Sequence, residues 1–217
     1  MGDGFLDDYG EDASREYIQR FELFLTRGWF DIRNEREQAF YIVLSRLFSA
    51  RDILQPMLRQ ALWSLFQVQK LDVELSLNAG RFHNLSRLQK LSLLRSCGRD
   101  RSGHALTALA LFLVPQFPLA QHHLLYATGS LISYIDDFGD FYFDLSLKKI
   151  TYMNQVKQPA KVLARIFQET LILLDRKLPP SHGRELLKGF LCLYFTTRLR
   201  KHHNERRRCD SARPIYE

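Results

Sequence analysis

The sequence predicts an all-α protein: a single-domain bundle of about seven or eight helices around an apolar cavity. Three observations predict it. Apolar residues recur three and four apart over most of the chain, the spacing of one face of an α-helix. Alternating Val, Ile and Thr bounded by Asn-Gly turns, the mark of strands and hairpins, is absent. The 217 residues are 46% hydrophobic with only seven prolines and eleven glycines, enough for one sizeable core without long linkers.

Residues 1–12 read as a loose acidic leader, 13–205 as the helical domain and 206–217 as a basic tail. Asp12 or Ser14 is placed to cap a first helix, with Tyr17, Phe21, Phe24 and Leu25 on one face and Gly28 at its end. Asn34 caps a second helix over 35–49, with Phe40, Val43, Leu44 and Leu47 inward. Asp52 caps a third over 53–77, where Pro56 sits in the first turn and its missing N–H costs little. Asn78-Ala79-Gly80 ends it. Asn84 or Ser86 opens a fourth helix that closes near Ser96. Cys97 to Gly103 then reads as a loop carrying Gly98 and Gly103, followed by a fifth helix over about 104–114 that stops before Pro115. From Leu119 to about Thr151 the pattern runs as one long helix. Pro159 opens another over 160–177, Pro179-Pro180 breaks the chain, and a last helix runs from 183 to about 205.

The formal net charge is +7, which points to an anionic partner: nucleic acid, lipid headgroups or a phosphate-bearing substrate. Three cysteines, Cys97, Cys192 and Cys209, with no CxxC spacing argue against a disulfide framework and against a zinc ribbon. Met1 to Asp8 lacks the basic region and apolar core of a signal peptide. The longest uncharged apolar run, Ala105 to Val114, is about half a membrane span. The expectation is a soluble, cytoplasmic protein, for which peripheral attachment to a membrane and a homodimer both stay open. No HExxH, GxSxG, Walker A or paired Glu-x-x-His pattern occurs.

The residues that carry chemistry lie in Ser133-Tyr134-Ile135-Asp136-Asp137-Phe138-Gly139-Asp140-Phe141-Tyr142-Phe143-Asp144. On a helix, Asp136, Asp137, Asp140 and Asp144 share an arc of roughly 100°. Like charges at this spacing repel, and they are costly to bury unless neutralised. Apolar residues flank the strip on both sides, Ile132, Gly139, Phe143, Leu147 and Ile150 on one and Tyr134, Phe138, Phe141 and Leu145 on the other. A surface helix has one broad polar face instead, so this helix is expected to be central, with its acids in a cleft. Two readings stay open: a solvated strip paired with Arg and Lys, or a site for Mg²⁺. Mg²⁺ is typically held by one or two carboxylates, several waters and substrate phosphates.

Asp136-Asp137-Phe138-Gly139-Asp140 resembles the DDxxD motif of class I terpenoid (isoprenyl diphosphate) synthases, and Tyr134 to Asp144 is similar to an acidic motif of the tetraprenyl-curcumene-synthase-like group. The resemblance covers some twenty residues and the all-helical pattern. It implies a terpenoid-synthase-like bundle and a lyase or prenyltransferase that uses Mg²⁺. An isoprenyl diphosphate would be ionised there, then cyclised or transferred. Asp136, Asp137 and Asp140 would be the catalytic, metal-holding residues, with Asp144 in support. Tyr134, Phe138, Phe141 and Phe143 would line the cavity, where aromatic faces shelter a cation. The family carries a second acidic motif on a facing helix. Leu71-Asp72-Val73-Glu74 is the best upstream candidate, but its acids lie about 200° apart, so they cannot share a face.

Arg99 and Arg101, in the expected glycine-containing loop before a helix start, are candidate diphosphate contacts. So are Arg198 and Lys201 in the basic last helix, where Arg200, His202, His203 and Arg206-Arg207-Arg208 continue the run. The competing reading is a non-enzymatic helical interaction module that docks on anionic lipid or nucleic acid through this helix. Nothing in the chain shows a specific nucleic-acid motif.

Overall fold

The structure, a computed structural model, describes residues 11–49, 55–77, 82, 84–114, 118, 121–147 and 149–211. Among these the chain forms nine helices and no strand. They are α1 (Glu11–Arg27), α2 (Glu35–Ser49), α3 (Gln55–Leu77), α4 (Arg87–Leu113), α5 (His122–Gly139), α6 (Phe141–Ser146), α7 (Tyr152–Gln155), α8 (Pro159–Lys177) and α9 (His182–Ser211). The all-α expectation holds.

Several helix ends follow the local chemistry expected of them. Gly28 takes φ 72° and ends α1. The Asn34 side chain accepts from the Glu37 N–H at 2.9 Å and starts α2. Ser86, not Asn84, caps α4, in a reciprocal capping box with Gln89. Pro159 occupies the first turn of α8. Asp12 and Ser14 lie within α1 rather than capping it. Asp52, the segment 78–80 and most of the expected leader lie outside the described residues.

Three expectations are corrected. Cys97 to Gly103 is not a loop: α4 runs unbroken from Arg87 to Leu113. Gly98 and Gly103 look like breakers, but they face α5, where an added Cβ would meet Tyr134 at 3.1 Å and Tyr126 at 2.8 Å. Helix propensity costs about 1 kcal/mol per glycine, and the close helix contact offsets it. The long helix expected from Leu119 to about Thr151 is two: α5 ends at Gly139 and the short α6 spans Phe141–Ser146, while Thr151 caps the next helix, α7, in a capping box with Asn154. Finally, α9 extends through Arg206-Arg207-Arg208, so the first part of the expected basic tail is helical.

The helices pack largely in chain order. Tyr17, Phe24, Phe30 and Leu44 join α1 and α2, and the buried Arg20 and Glu37 clamp them with a two-pronged ion pair of 2.7 and 2.8 Å. Phe21 touches Phe66 of α3. Leu58, Ala61 and Leu62 of α3 meet Ala108 and Leu111 of α4. α5 is central. Its Leu124, Leu131, Tyr134, Ile135 and Phe138 form the main core with Met153, Leu163, Leu174 and Leu191 of α7, α8 and α9, while its other side lies on α4.

The α4–α5 crossing is tightest at Gly129, where an added Cβ would stand 2.2 Å from the Ser102 carbonyl oxygen. Backbone cannot swing aside as a side chain can. Gly129→Ala is therefore expected to cost about 3 kcal/mol, the upper end of ordinary overpacking. Gly189→Ala, with nothing within 4 Å, is expected to stabilise α9 slightly. Urea unfolding of the two variants checks this; equal midpoints would show that the crossing is looser than described.

Candidate functional site

The four aspartates divide between two neighbours of α5. Asp137 is buried and faces α4, where Arg101 Nη2 approaches its Oδ1 at 2.8 Å and donates to Ser133 Oγ at 3.2 Å. The other guanidinium nitrogen, Nη1, donates to Asp72 of α3 at 3.3 Å. The Cys97 thiol also reaches Asp72, at 3.4 Å. One buried cation thus ties three helices together. Burial pushes Asp137 above the usual carboxylate range, with Arg101 opposing. Burial also pushes the Cys97 thiol up, which keeps it protonated and unreactive. Asp72 is the acid of the upstream pair that turns toward α4, to Arg101 and Cys97; the Glu74 side chain lies outside the described residues.

Asp136 and Asp140 face α9 instead. Arg198 spans both, pairing with Asp136 through Nη2 and with Asp140 at 3.4 Å through Nη1. Lys201 pairs with Asp140, and the Tyr194 hydroxyl donates to Asp136 at 2.9 Å. This seam is half open: the side chains of Asp136 and Asp140 are 39% and 24% exposed. Gly139 makes it. A Cβ there would stand 2.8 Å from Arg198 Cδ, so only glycine lets the arginine stem lie across the end of α5. His202 completes the end. Its Nδ1 donates to the Phe138 carbonyl at 2.9 Å and its ring stacks on Phe138 at 4.0 Å. Cations and donors gathered at a helix C-terminus complement its macrodipole.

The other expected site residues lie elsewhere. Asp144 is buried in α6. Arg99 points away from the seam, pairing with Asp100 at 2.7 Å beside Tyr126. Tyr134 is buried and donates to the Arg95 carbonyl at 2.6 Å; Phe138 is packed in the core; Phe141 packs against His202; Phe143 is exposed. A cavity of about 440 Å³ lies apart from all of them, lined by Leu25, Thr26, Pro56, Arg59, Gln60 and Trp63 of α1 and α3. The structure thus brings Asp136, Asp140, Arg198 and Lys201 together, and Asp137 with Arg101. The sequence reading missed Tyr194 and His202 as partners. The signal was present in part: Tyr194, Arg198, Lys201 and Glu205 recur at four- and three-residue spacing, one face of α9.

Among the described residues no group of three or more His, Cys, Asp or Glu side chains is placed to hold a metal ion. A cation at the seam would therefore take two carboxylates at most. None of the described helices is long and apolar enough to cross a membrane. Fold and site together define an all-α protein whose central helix carries a closed polar contact on one side and a half-open, mixed-charge seam on another. Comparison with family models, with curated proteins and with solved structures finds no match.

Removing one partner of a buried ion pair typically costs about 3–5 kcal/mol, whereas an exposed pair is worth about 0–1. Arg101→Ala is expected to lose the larger amount, and Arg101→Met with Asp137→Leu to recover most of it; chemical denaturation measures both. A second expectation concerns Asp144, which burial, opposed by Lys149, pushes up to about 7. An acid whose folded pKa exceeds its ordinary value, here 3.8, binds more protons folded than unfolded between the two. Its contribution to stability therefore falls as pH rises through that window. Asp144→Asn is expected to raise the melting temperature at pH 8 and to leave it nearly unchanged at pH 4. An equal shift at both values would show that Asp144 ionises normally.

Proposed function

We propose that the α5–α9 seam binds a diphosphate together with Mg²⁺, and that its substrate is an isoprenyl diphosphate, ionised there for cyclisation or prenyl transfer. One observation carries this reading: Asp136 and Asp140 share a single cationic group, Arg198, with Lys201 beside it. Two carboxylates close enough to share one guanidinium can share one small cation. That donor set fits Mg²⁺ completed by waters and phosphate oxygens. When bound, Mg²⁺ supplies charge neutralisation for the departing diphosphate. Arg198 and Lys201 are the chain's own groups for the phosphate oxygens, Arg198 through its fork and Lys201 as a point charge.

Magnitudes favour an exchange at this seam and not at Asp137. The pairs of Asp136 and Asp140 are half exposed and cost at most about 1 kcal/mol each to separate. Releasing Asp137 from Arg101 would strand a buried charge at several times that cost. The DDxxD spacing is thus read as two exchangeable carboxylates and one structural one. Tyr194 holds Asp136 in position from α9. Phe141, Tyr142 and His202 form an aromatic wall beside the seam, whose faces suit a cationic, carbon-rich fragment. The isoprenyl identity of that fragment rests on the resemblance of the motif.

Binding and turnover are separable. Mg²⁺ with inorganic diphosphate is expected to raise the melting temperature more than either alone. Geranyl, farnesyl or geranylgeranyl diphosphate is expected to release diphosphate in a Mg²⁺-dependent way. Asp136→Asn with Asp140→Asn is expected to lose both effects at little cost in stability. Failure of the wild type to release diphosphate would remove the catalytic part of the proposal. Release undiminished in the double variant would remove the site.

A further inference from the structure

The seam uses the face of α9 turned toward α5; the adjoining outer face carries a further feature. Leu186, Phe190 and Leu193 recur four and three residues apart, turned away from the buried Leu191, and are 77%, 50% and 68% exposed. Gly189 between them has open space beside it, and the Phe190 ring stacks on Tyr194 at 6.0 Å, so the stripe borders the seam and leaves its outer surface uncovered. The same spacing continues through Thr197, Arg200, Asn204 and Arg207, all exposed, with Arg208 alongside. One stripe is therefore apolar over its first half and cationic over its second, a length of roughly 33 Å from 186 to 208 at the helical rise.

Few partners match both halves. A second copy of the chain would set Arg200 and Arg207 against another cationic stripe when paired in parallel. Three apolar side chains also fall well short of the roughly 800 Å² per partner that stable dimers bury. Nucleic acid would meet the arginines and leave the leucines without a role. A bilayer with anionic headgroups takes both: apolar side chains seat at the boundary of headgroup and acyl chain, and arginines reach the lipid phosphates and carboxylates.

We propose that the outer face of α9 docks this protein on an anionic lipid bilayer, with Leu186, Phe190 and Leu193 inserted and Arg200, Arg207 and Arg208 against the headgroups. Arg198 and Lys201 are turned toward α5, so the arginines assigned to the headgroups are not the cations that the seam uses.

Sedimentation of the full chain with vesicles tests this. The wild type is expected to bind phosphatidylserine–phosphatidylcholine vesicles and not pure phosphatidylcholine, with binding falling as salt rises. Leu186→Ser, Phe190→Ser and Leu193→Ser combined, all at exposed positions, is expected to weaken binding at least tenfold. Each of Arg200→Gln, Arg207→Gln and Arg208→Gln is expected to weaken it about fivefold. Circular dichroism of each variant confirms that α9 is formed. No binding to anionic vesicles, or binding unchanged in the triple serine variant, would overturn the proposal. So would a dimer in sedimentation velocity that the triple serine variant dissolves, which would make the stripe a seam between copies. Salt-sensitive binding to single-stranded RNA without vesicle binding would likewise assign the arginines to another partner.

Discussion

The constraint on which the arrangement depends is the close crossing of α4 and α5. Gly98, Gly103 and Gly129 remove the side chains that would hold the two backbones apart, and that approach brings Arg101 within reach of Asp137 and Ser133. A charged pair this far from water is tolerable only when its remaining hydrogen-bonding capacity is met. Ser133 on α5 and Asp72 on α3 meet it. The glycines and the ion pair are therefore one device. Widening the crossing would strand Arg101, and losing Arg101 would leave two carboxylates facing an interface built for a cation.

With α5 fixed on that side, its rotation sets what its other side offers. A helix turns about 100° per residue, so pinning Asp137 to α4 directs Asp136 and Asp140 toward α9. There the contact is of a different kind. Arg198 reaches both acids by lying across Gly139, Lys201 adds a second charge, and His202 closes the end of the helix through the Phe138 carbonyl. The two sides thus pair the same chemical groups at different depths. Depth decides their roles: the buried pair is costly to break and specifies geometry, while the half-exposed pairs separate at little cost and can exchange partners.

Much of the local structure was readable from sequence because it is local. Asn34, Ser86, Pro159 and Gly28 act within one helical turn of themselves, and their chemistry leaves few alternatives. The misreadings came where one residue type serves two purposes. Gly98 and Gly103 break a helix in isolation and permit a helix crossing in context, and nothing within the segment 97–103 distinguishes these. The acidic strip was visible as an arc of roughly 100° on one helix. Its division between two partners was not, because an arc that wide spans the gap between neighbouring helices. The cations were visible too, but their pairing over 36 to 61 positions of chain is a product of the fold.

The same logic locates the surplus positive charge. Arg20, Arg101, Arg198 and Lys201 are each engaged by carboxylates inside the fold, so they contribute little to the field outside. The formal net charge is +7, and Arg200, Arg206, Arg207 and Arg208 lie exposed toward the end of α9. Cations in a last helical turn complement the dipole, but that effect fades within one turn. Arg200 lies about three turns from the end of α9 at Ser211 and gains little from it. Its place on the stripe with Leu186, Phe190 and Leu193 is accounted for by a surface that is apolar and anionic together. α9 thereby carries two charge patterns on adjoining faces, one matched to the acids of α5 and one turned outward.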